Sequence, residues 1–159
     1  GLIVPGLLDP HALFQLEAYA VAGGPHERLR RYRSSDIAYG YQRQSFSMEF
    51  CMVVRAGRRV FLRGQTGMDF GRALIGAGDA AAQARQAIGN VRTLLADVGA
   101  DFSHATRLVT YVTDRAYLEP VLGEVEAAFA ASPVPGTSLI VKGLAAPELL
   151  MEIDVHATL

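Results

Sequence analysis

Residues 134–157 read Val-Pro-Gly-Thr-Ser-Leu-Ile-Val-Lys-Gly-Leu-Ala-Ala-Pro-Glu-Leu-Leu-Met-Glu-Ile-Asp-Val-His-Ala, and they are the most informative part of the sequence. Aliphatic residues dominate both of its ends, and glycine and proline interrupt it in the middle, which predicts two strands joined by a turn. The predicted strands cover residues 139–142 and 149–155. Glu152 stands near the middle of the second strand between apolar neighbours. Because a carboxylate is costly there unless it is paired or hydrogen-bonded, Glu152 is either a site residue or part of a structural ion pair.

Two amphipathic helices are predicted upstream of this stretch. Asp79 is a suitable N-cap, and apolar residues then recur at spacings of three and four until Gly99. A second apolar face with helical spacing follows Asp114 and ends before Pro133. Residues 106–113, between the two helices, are rich in Val, Thr and Tyr and predict a strand.

The region before the first helix predicts a hairpin and an arm. Residues 46–54 and 59–65 are predicted as strands joined by a turn at 55–58, and a glycine-rich loop follows. Residues 1–45 differ in texture and are predicted to form an N-terminal arm, whereas residues 46–159 form the domain. Within the arm, residues 11–22 predict a short helix that ends at Gly23.

The arm allows two interpretations. It packs on the body or on a neighbouring subunit, or one of its polar aromatic residues reaches into a pocket. The candidates for the second interpretation are Tyr39, Tyr41 and Arg43. The basic cluster between Arg28 and Arg33 is too short to predict a nucleic-acid surface and is interpreted as structural or solvated.

The predicted order is β-β-α-β-α-β-β, which is an α+β fold with a mixed sheet of five or six strands. Two one-sided helices cover only one face of such a sheet. The other face would leave a large apolar patch exposed unless it found a partner, so the pattern predicts a homo-oligomer.

Composition excludes several classes of function. The chain has 159 residues, a net charge of −1 and 50% hydrophobic residues, which is typical of one globular domain without an affinity for nucleic acid or anionic membranes. Its single cysteine, Cys51, rules out an internal disulfide and favours a reducing compartment. No signal peptide and no run long enough to span a membrane is predicted, so we expect a cytoplasmic protein without membrane contacts.

Several segments, in order and at matching spacings, resemble the RidA (YjgF) family of reactive-intermediate deaminases over about residues 46–158. They are Gly64-Gln65 after a strand, the helix at residues 79–95, Val109-Thr-Tyr-Val-Thr-Asp114, Gly143-Leu144 and Met151-Glu-Ile153. The resemblance implies a chorismate-mutase-like fold. It also implies a homotrimer with small-molecule pockets at the subunit interfaces.

The resemblance also indicates how the site departs from the family. In family members that hydrolyse imines, an arginine binds the substrate carboxylate and a glutamate positions water or polarises the imine. Glu152 matches that glutamate, but Gly136 stands where the arginine is expected. Arg63 replaces a small hydroxylated residue, and Phe50 replaces a tyrosine.

The candidate site therefore has two catalytic and five substrate-binding residues. Glu152 and Arg63 are the catalytic candidates. The substrate-binding candidates are Gly64, Phe50, Gly136, Thr137 and Ser138. Arg63 either supplies the lost positive charge or pairs with Glu152 or Glu49 as part of the structure.

Two functions follow as hypotheses. The first is a cofactor-free hydrolase or deaminase that acts on a small C=N or amide-type metabolite and processes 2-iminopropanoate or 2-iminobutanoate poorly. The alternative is a non-catalytic trimer that binds a small molecule or a partner. The four histidines lack metal-ligand spacing, so no metal and no cofactor is expected. Ribonuclease activity, sometimes ascribed to the family, has little support without a basic stripe or a histidine pair.

Overall fold

A computed structural model of the chain describes residues 1–33, 38–39, 42–43 and 48–159. Eight strands and two α-helices follow one another in these ranges. The strands are β1 (His26–Arg33), β2 (Ala38–Tyr39), β3 (Gln42–Arg43), β4 (Glu49–Ala56), β5 (Arg59–Leu62), β6 (Ala105–Val112), β7 (Gly136–Ile140) and β8 (Met151–Thr158). The helices are α1 (Ala80–Asp97) and α2 (Leu118–Phe129).

Six of the strands form one mixed sheet in the order β1-β4-β5-β8-β6-β7. All neighbours are antiparallel except β6 and β7, which are parallel. The parallel pair encloses α2 in its crossover connection, as parallel strands require. β8, which carries Glu152, lies in the middle of the sheet between β5 and β6. The predicted α+β class is confirmed.

Both helices pack on the same face of the sheet. The side chain of Asp79 accepts a hydrogen bond from the Ala82 amide and caps α1 as predicted. The apolar stripes of α1 and α2 meet buried residues of β8 in a single core. The most completely buried members of this core include Leu94, Leu95, Met151, Ile153 and Val155.

The buried amide of Gln83 fixes the start of β8 against α1. Its Oε1 accepts from the Leu150 amide at 2.9 Å, and its Nε2 donates to the Glu148 carbonyl at 2.9 Å. Gln83 is fully buried, so these bonds satisfy polar atoms that would otherwise be costly. Leu150, which precedes β8, is thus held in place by a hydrogen bond to α1.

The opposite face of the sheet carries a different set of residues. A smaller apolar cluster built around Tyr111 and Leu149 covers part of it. The N-terminal segment covers another part, where the Tyr19 ring lies 5.0 Å from the His156 ring. Ile3 pairs with the chain after β7, since its amide donates to the Gly143 carbonyl and its carbonyl accepts from the Lys142 amide.

Several local predictions differ from the structure. Residues 11–22 form no helix: Leu13 and Phe14 are 98% and 80% exposed, and a short helix without a packed apolar face is marginal. The predicted turn at 55–58 is only Gly57-Arg58, with Gly57 at a φ of 59° that glycine adopts readily. The last two strands begin at Gly136 and Met151 rather than at residues 139 and 149.

β1 is a strand that the sequence did not predict. Its basic residues hide the alternation that normally indicates a strand, yet it pairs with β4 along seven residues. Residues 46–47 of the predicted first strand lie outside the described residues, as does Tyr41. The side chains of Tyr39 and Arg43 are also outside the description, so their predicted role in a pocket stays a prediction.

Candidate functional site

A cleft of about 380 Å³ opens on the face of the sheet opposite the helices. It lies between β1, β8 and the loop that follows β5. Glu152, Arg63 and Gly64, three of the predicted site residues, all line it. The cleft also contains Arg30, Arg31, Tyr32, Phe70 and Arg72, which sequence reasoning did not assign to a site.

Glu152 points into the cleft because side chains alternate along β8. Met151, Ile153 and Val155 are buried against the helices, so the residues between them face the other way. The backbone of β8 is fixed at this point by two hydrogen bonds. The Gln65 amide donates to the Ile153 carbonyl at 2.8 Å, and the Ile153 amide donates to the Gln65 carbonyl at 2.7 Å.

Gly64 gives the Glu152 carboxylate its space. A β-carbon at position 64 would overlap with Oε1 of Glu152 and would lie 2.8 Å from Oδ1 of Asp154. Gly64 is therefore needed for close approach rather than for an unusual backbone angle. The structure places the predicted residue directly beside the predicted acid.

The surroundings of Glu152 favour its neutral form. Burial raises the pKa of Glu152, and the negative charge of Asp154 raises it further. The Gly1 amine and Arg63 oppose this effect because their positive charges lower the pKa of Glu152. The carboxyl group is thus more easily protonated than an exposed glutamate.

Asp154 is the polar neighbour that sequence reasoning missed. It lies two residues after Glu152 on the same face of β8, and it accepts a hydrogen bond from the Tyr111 hydroxyl at 3.4 Å. Burial raises the pKa of Asp154, whereas the Tyr111 hydrogen bond, Arg107 and His156 lower it. Strand alternation, which was applied to Glu152, would also have found Asp154.

Arg63 approaches the cleft from the end of β5. Its amide donates to the Met52 carbonyl at 2.8 Å, and its guanidinium lies 5.2 Å from the centre of the Tyr32 ring. Its positive charge lowers the pKa of Glu152. Glu49, the other suggested partner, forms an ion pair with Arg31 at 3.3 Å.

The other arginines of the cleft wall are partly committed to the structure. Arg30 forms an ion pair of 2.5 Å with Asp97 and stacks over Phe70, with 4.2 Å from the guanidinium carbon to the ring centre. Arg72 has a φ of 75°, a conformation that residues other than glycine rarely adopt. Four arginines and two acidic residues line the cleft, so its wall is basic on balance.

The remaining predicted residues lie elsewhere in the single chain. Gly136, Thr137 and Ser138 are exposed on the edge strand β7 and are not among the residues that line the cleft. Phe50 does not line the cleft either, but its ring stacks on the Tyr32 ring at 5.8 Å between centres. The structure thus brings together Glu152, Arg63 and Gly64 but not the β7 residues.

Neither a metal cluster nor a spanning helix is found in the parts of the chain that the structure describes. No three His, Cys, Asp or Glu side chains there are arranged to hold a metal ion. Within the same ranges, no helix combines the length and the apolar character that crossing a membrane requires.

This fold and this cleft define a class of protein, and comparisons with known sequences identify it. The sequence profile described as Endoribonuclease L-PSP matches residues 42–159. The chain belongs to this family, which is the RidA/YjgF superfamily that the sequence resembled.

Solved structures agree with this assignment. A member of the YjgF/YER057c/UK114 family from Mycobacterium tuberculosis is 29% identical, with a TM-score of 0.60, over 81% of this chain and 99% of that chain. A protein of unknown function from the Rid family of Yersinia pestis is 30% identical, with a TM-score of 0.58, over 69% and 86%.

A curated relative matches a shorter region. Protein DfrA from Myxococcus xanthus is 39% identical over 61 residues, which are 38% of this chain and 47% of that protein. The matched region therefore spans about half the length of that relative.

Proposed function

We propose that this protein is a homotrimeric, cofactor-free hydrolase or deaminase for a small metabolite with a C=N or amide-type bond. The observation that carries the proposal is the placement of Glu152 beside Gly64 in a cleft with a basic wall. In the reaction, water adds its oxygen to the carbon of the C=N bond and the nitrogen takes up a proton. The C–N bond of the adduct then breaks to give a carbonyl compound and an amine or ammonia.

Each candidate residue has a role in this proposal. Glu152 orients the water, and Arg63 supplies positive charge toward an anionic substrate. The Gly64 amide hydrogen-bonds the substrate. Thr137 or Ser138 does so from β7 of a neighbouring subunit, with Phe50 nearby. The exposure of Leu139 and Ile140 on β7, at 47% and 43%, supports an interface on that strand.

Gly136 sets the expected specificity. Without a guanidinium at this position, 2-iminopropanoate and 2-iminobutanoate are expected to be poor substrates, because their carboxylates lack a bidentate partner on β7. The backbone leaves room for a side chain there. A β-carbon at Gly136 would meet only ordinary contacts, the nearest being Leu108 Cδ2 at 3.5 Å.

The test installs the missing group. In a coupled imine-hydrolysis assay, Gly136→Arg is expected to raise kcat/KM for 2-iminobutanoate by about tenfold or more, the gain of one charge-assisted hydrogen-bonded pair. Gly136→Gln, which adds a shorter and neutral polar side chain, is the control and should leave the rate low. Ordinary family rates in the unmodified protein, unaffected by either variant, would contradict the proposal.

A second experiment tests the two catalytic candidates, Glu152 and Arg63. On any substrate that the protein hydrolyses, Glu152→Gln is expected to lower kcat by about 100-fold or more. Arg63→Gln should mainly raise KM, and Arg63→Lys should restore part of the loss because it keeps the charge.

The alternative is a non-catalytic trimer that binds a small molecule or a partner. Arg63 favours it, because a positive charge next to Glu152 makes the acid less available for chemistry. Calorimetric binding of small carboxylates that needs Arg63, with no turnover of any imine, would establish this alternative and overturn the enzymatic proposal.

A further inference from the structure

The carboxylate beside Glu152 does not itself line the cleft and has no role in the function proposed above. Asp154 and Glu152 are two residues apart on one face of β8, and an oxygen of each lies within 2.8 Å of the point where a Gly64 β-carbon would stand. Two carboxylates that converge on one point cannot both ionise without a penalty, so they titrate as a pair.

The two members of the pair have different surroundings. Asp154 accepts the Tyr111 hydroxyl, and that hydroxyl keeps its proton because burial raises the pKa of Tyr111 to about 12. Arg107 and His156 also favour the ionised form of Asp154. Burial is the main cause that raises the pKa of Glu152, and Asp154 acts on it as a negative neighbour.

We infer that Asp154 is a positioning residue that stays ionised and thereby keeps Glu152 protonated, so that Glu152 is the proton donor of the hydrolysis. This inference rests on the function proposed above. The imine nitrogen takes the Glu152 proton while the water oxygen bonds to the carbon, and the proton that this water releases returns to the Glu152 carboxylate. No further reactant is needed.

Positive groups also face the pair. Arg63 and the Gly1 amine act against this arrangement because they favour the ionised form of Glu152, whereas Arg107 and His156 act with it because they favour the ionised form of Asp154. The inferred order is that Asp154 loses its proton at lower pH than Glu152.

The experiment follows both carboxyl groups by ¹³C NMR titration of protein labelled at Glu and Asp side chains. Glu152→Gln and Asp154→Asn assign the two resonances. In the unmodified protein, Glu152 should titrate last of the pair and above the ordinary glutamate range. In Asp154→Asn, the apparent pKa of Glu152 should fall by about one unit because a neighbouring negative charge is lost.

Three variants make the result specific. Asp154→Glu keeps the charge and should keep the pKa of Glu152 high. Glu119→Gln removes one negative charge from an exposed position on α2 and should change nothing at Glu152. Tyr111→Phe removes the hydrogen bond to Asp154 and should bring the two titration steps closer together.

Two outcomes would overturn the inference: a Glu152 titration that is unchanged in Asp154→Asn, or an Asp154 that titrates above Glu152. If Asp154→Asn does not fold, Tyr111→Phe is the deciding variant. Titration steps of Glu152 and Asp154 that stay as far apart in Tyr111→Phe as in the unmodified protein would also overturn the inference. The titration needs no substrate. A protein without activity but with the expected titration would refute the proposed function and leave this pairing intact, and the reverse result would refute only the pairing.

Discussion

The two faces of the six-stranded sheet differ in chemistry: one carries buried apolar side chains and the other carries ionisable groups. On the helix side, β8 presents Met151, Ile153 and Val155, which are buried to 1% exposure or less. On the other side the same strand presents Glu152, Asp154 and His156, whose pKa values are all displaced by burial. A single strand thus anchors the core with one set of residues and places ionisable groups with the other. The position of the ionisable groups therefore depends on how the other face of the strand packs against the helices.

The largest expected effect compares leucines from the two faces. Leu94→Ala, in the fully buried part of α1, should lower the free energy of unfolding by about 2–5 kcal/mol at any protein concentration. Leu139 lies on β7 and pairs with Tyr111 of β6. Leu139→Ala should lower the free energy of unfolding by an amount that grows with protein concentration, because the proposed trimer buries this side chain only after assembly. Chemical denaturation at several concentrations makes the measurement. Equal losses of unfolding free energy that do not depend on protein concentration would contradict the proposed burial of Leu139 in a trimer.

The next effect concerns the contact between Gly64 and the carboxylates. Gly64→Ala should cost about 1–3 kcal/mol and abolish ligand binding, because the new methyl group displaces the Glu152 side chain. Gly89→Ala is the matched control: its β-carbon meets nothing within 4 Å, and it lies inside α1. That variant should stabilise the protein by about 0.5–1 kcal/mol. Thermal unfolding measures the two stability changes, and calorimetry measures ligand binding. Loss of binding in both variants, or in neither, would contradict the expectation.

The smallest effect is the dependence of stability on pH. Glu152 has a folded pKa above its ordinary value of 4.5, so the folded state holds its proton longer than the unfolded state. Stability is therefore fully present below pH 4.5 and falls as the pH rises through the folded pKa. Glu152→Gln should remove this loss and add about 1 kcal/mol at pH 8, with little change at pH 4. A variant that is less stable at pH 8 would show instead that the ionised group is well paired.

The helix side could be predicted from the sequence because its signals are local. The spacing of Ala84, Ile88, Val91 and Leu95 and the cap at Asp79 already specified α1 and its buried face. The family resemblance supplied Glu152 and Gly64, which lie together in the structure. The local helix signals and the family resemblance together predicted a mixed sheet with both helices on one side.

The open face could be predicted only in part, because long-range pairing decides it. β1 became a strand through its pairing with β4, although its own residues do not alternate clearly. The predicted role of the β7 residues depends on the proposed contacts between subunits and therefore remains a prediction. The helix predicted at residues 11–22 was wrong because periodicity does not show whether a partner surface exists.

The pairing of Ile3 with the chain at residues 142–143 has a practical consequence for protein engineering. Gly1 lines the cleft, so a label attached near this residue would lie close to the candidate site. Leu159 instead bonds through its amide to the Arg58 carbonyl, beside the β4–β5 hairpin. Immobilisation or labelling through the carboxyl terminus therefore leaves the entrance clear.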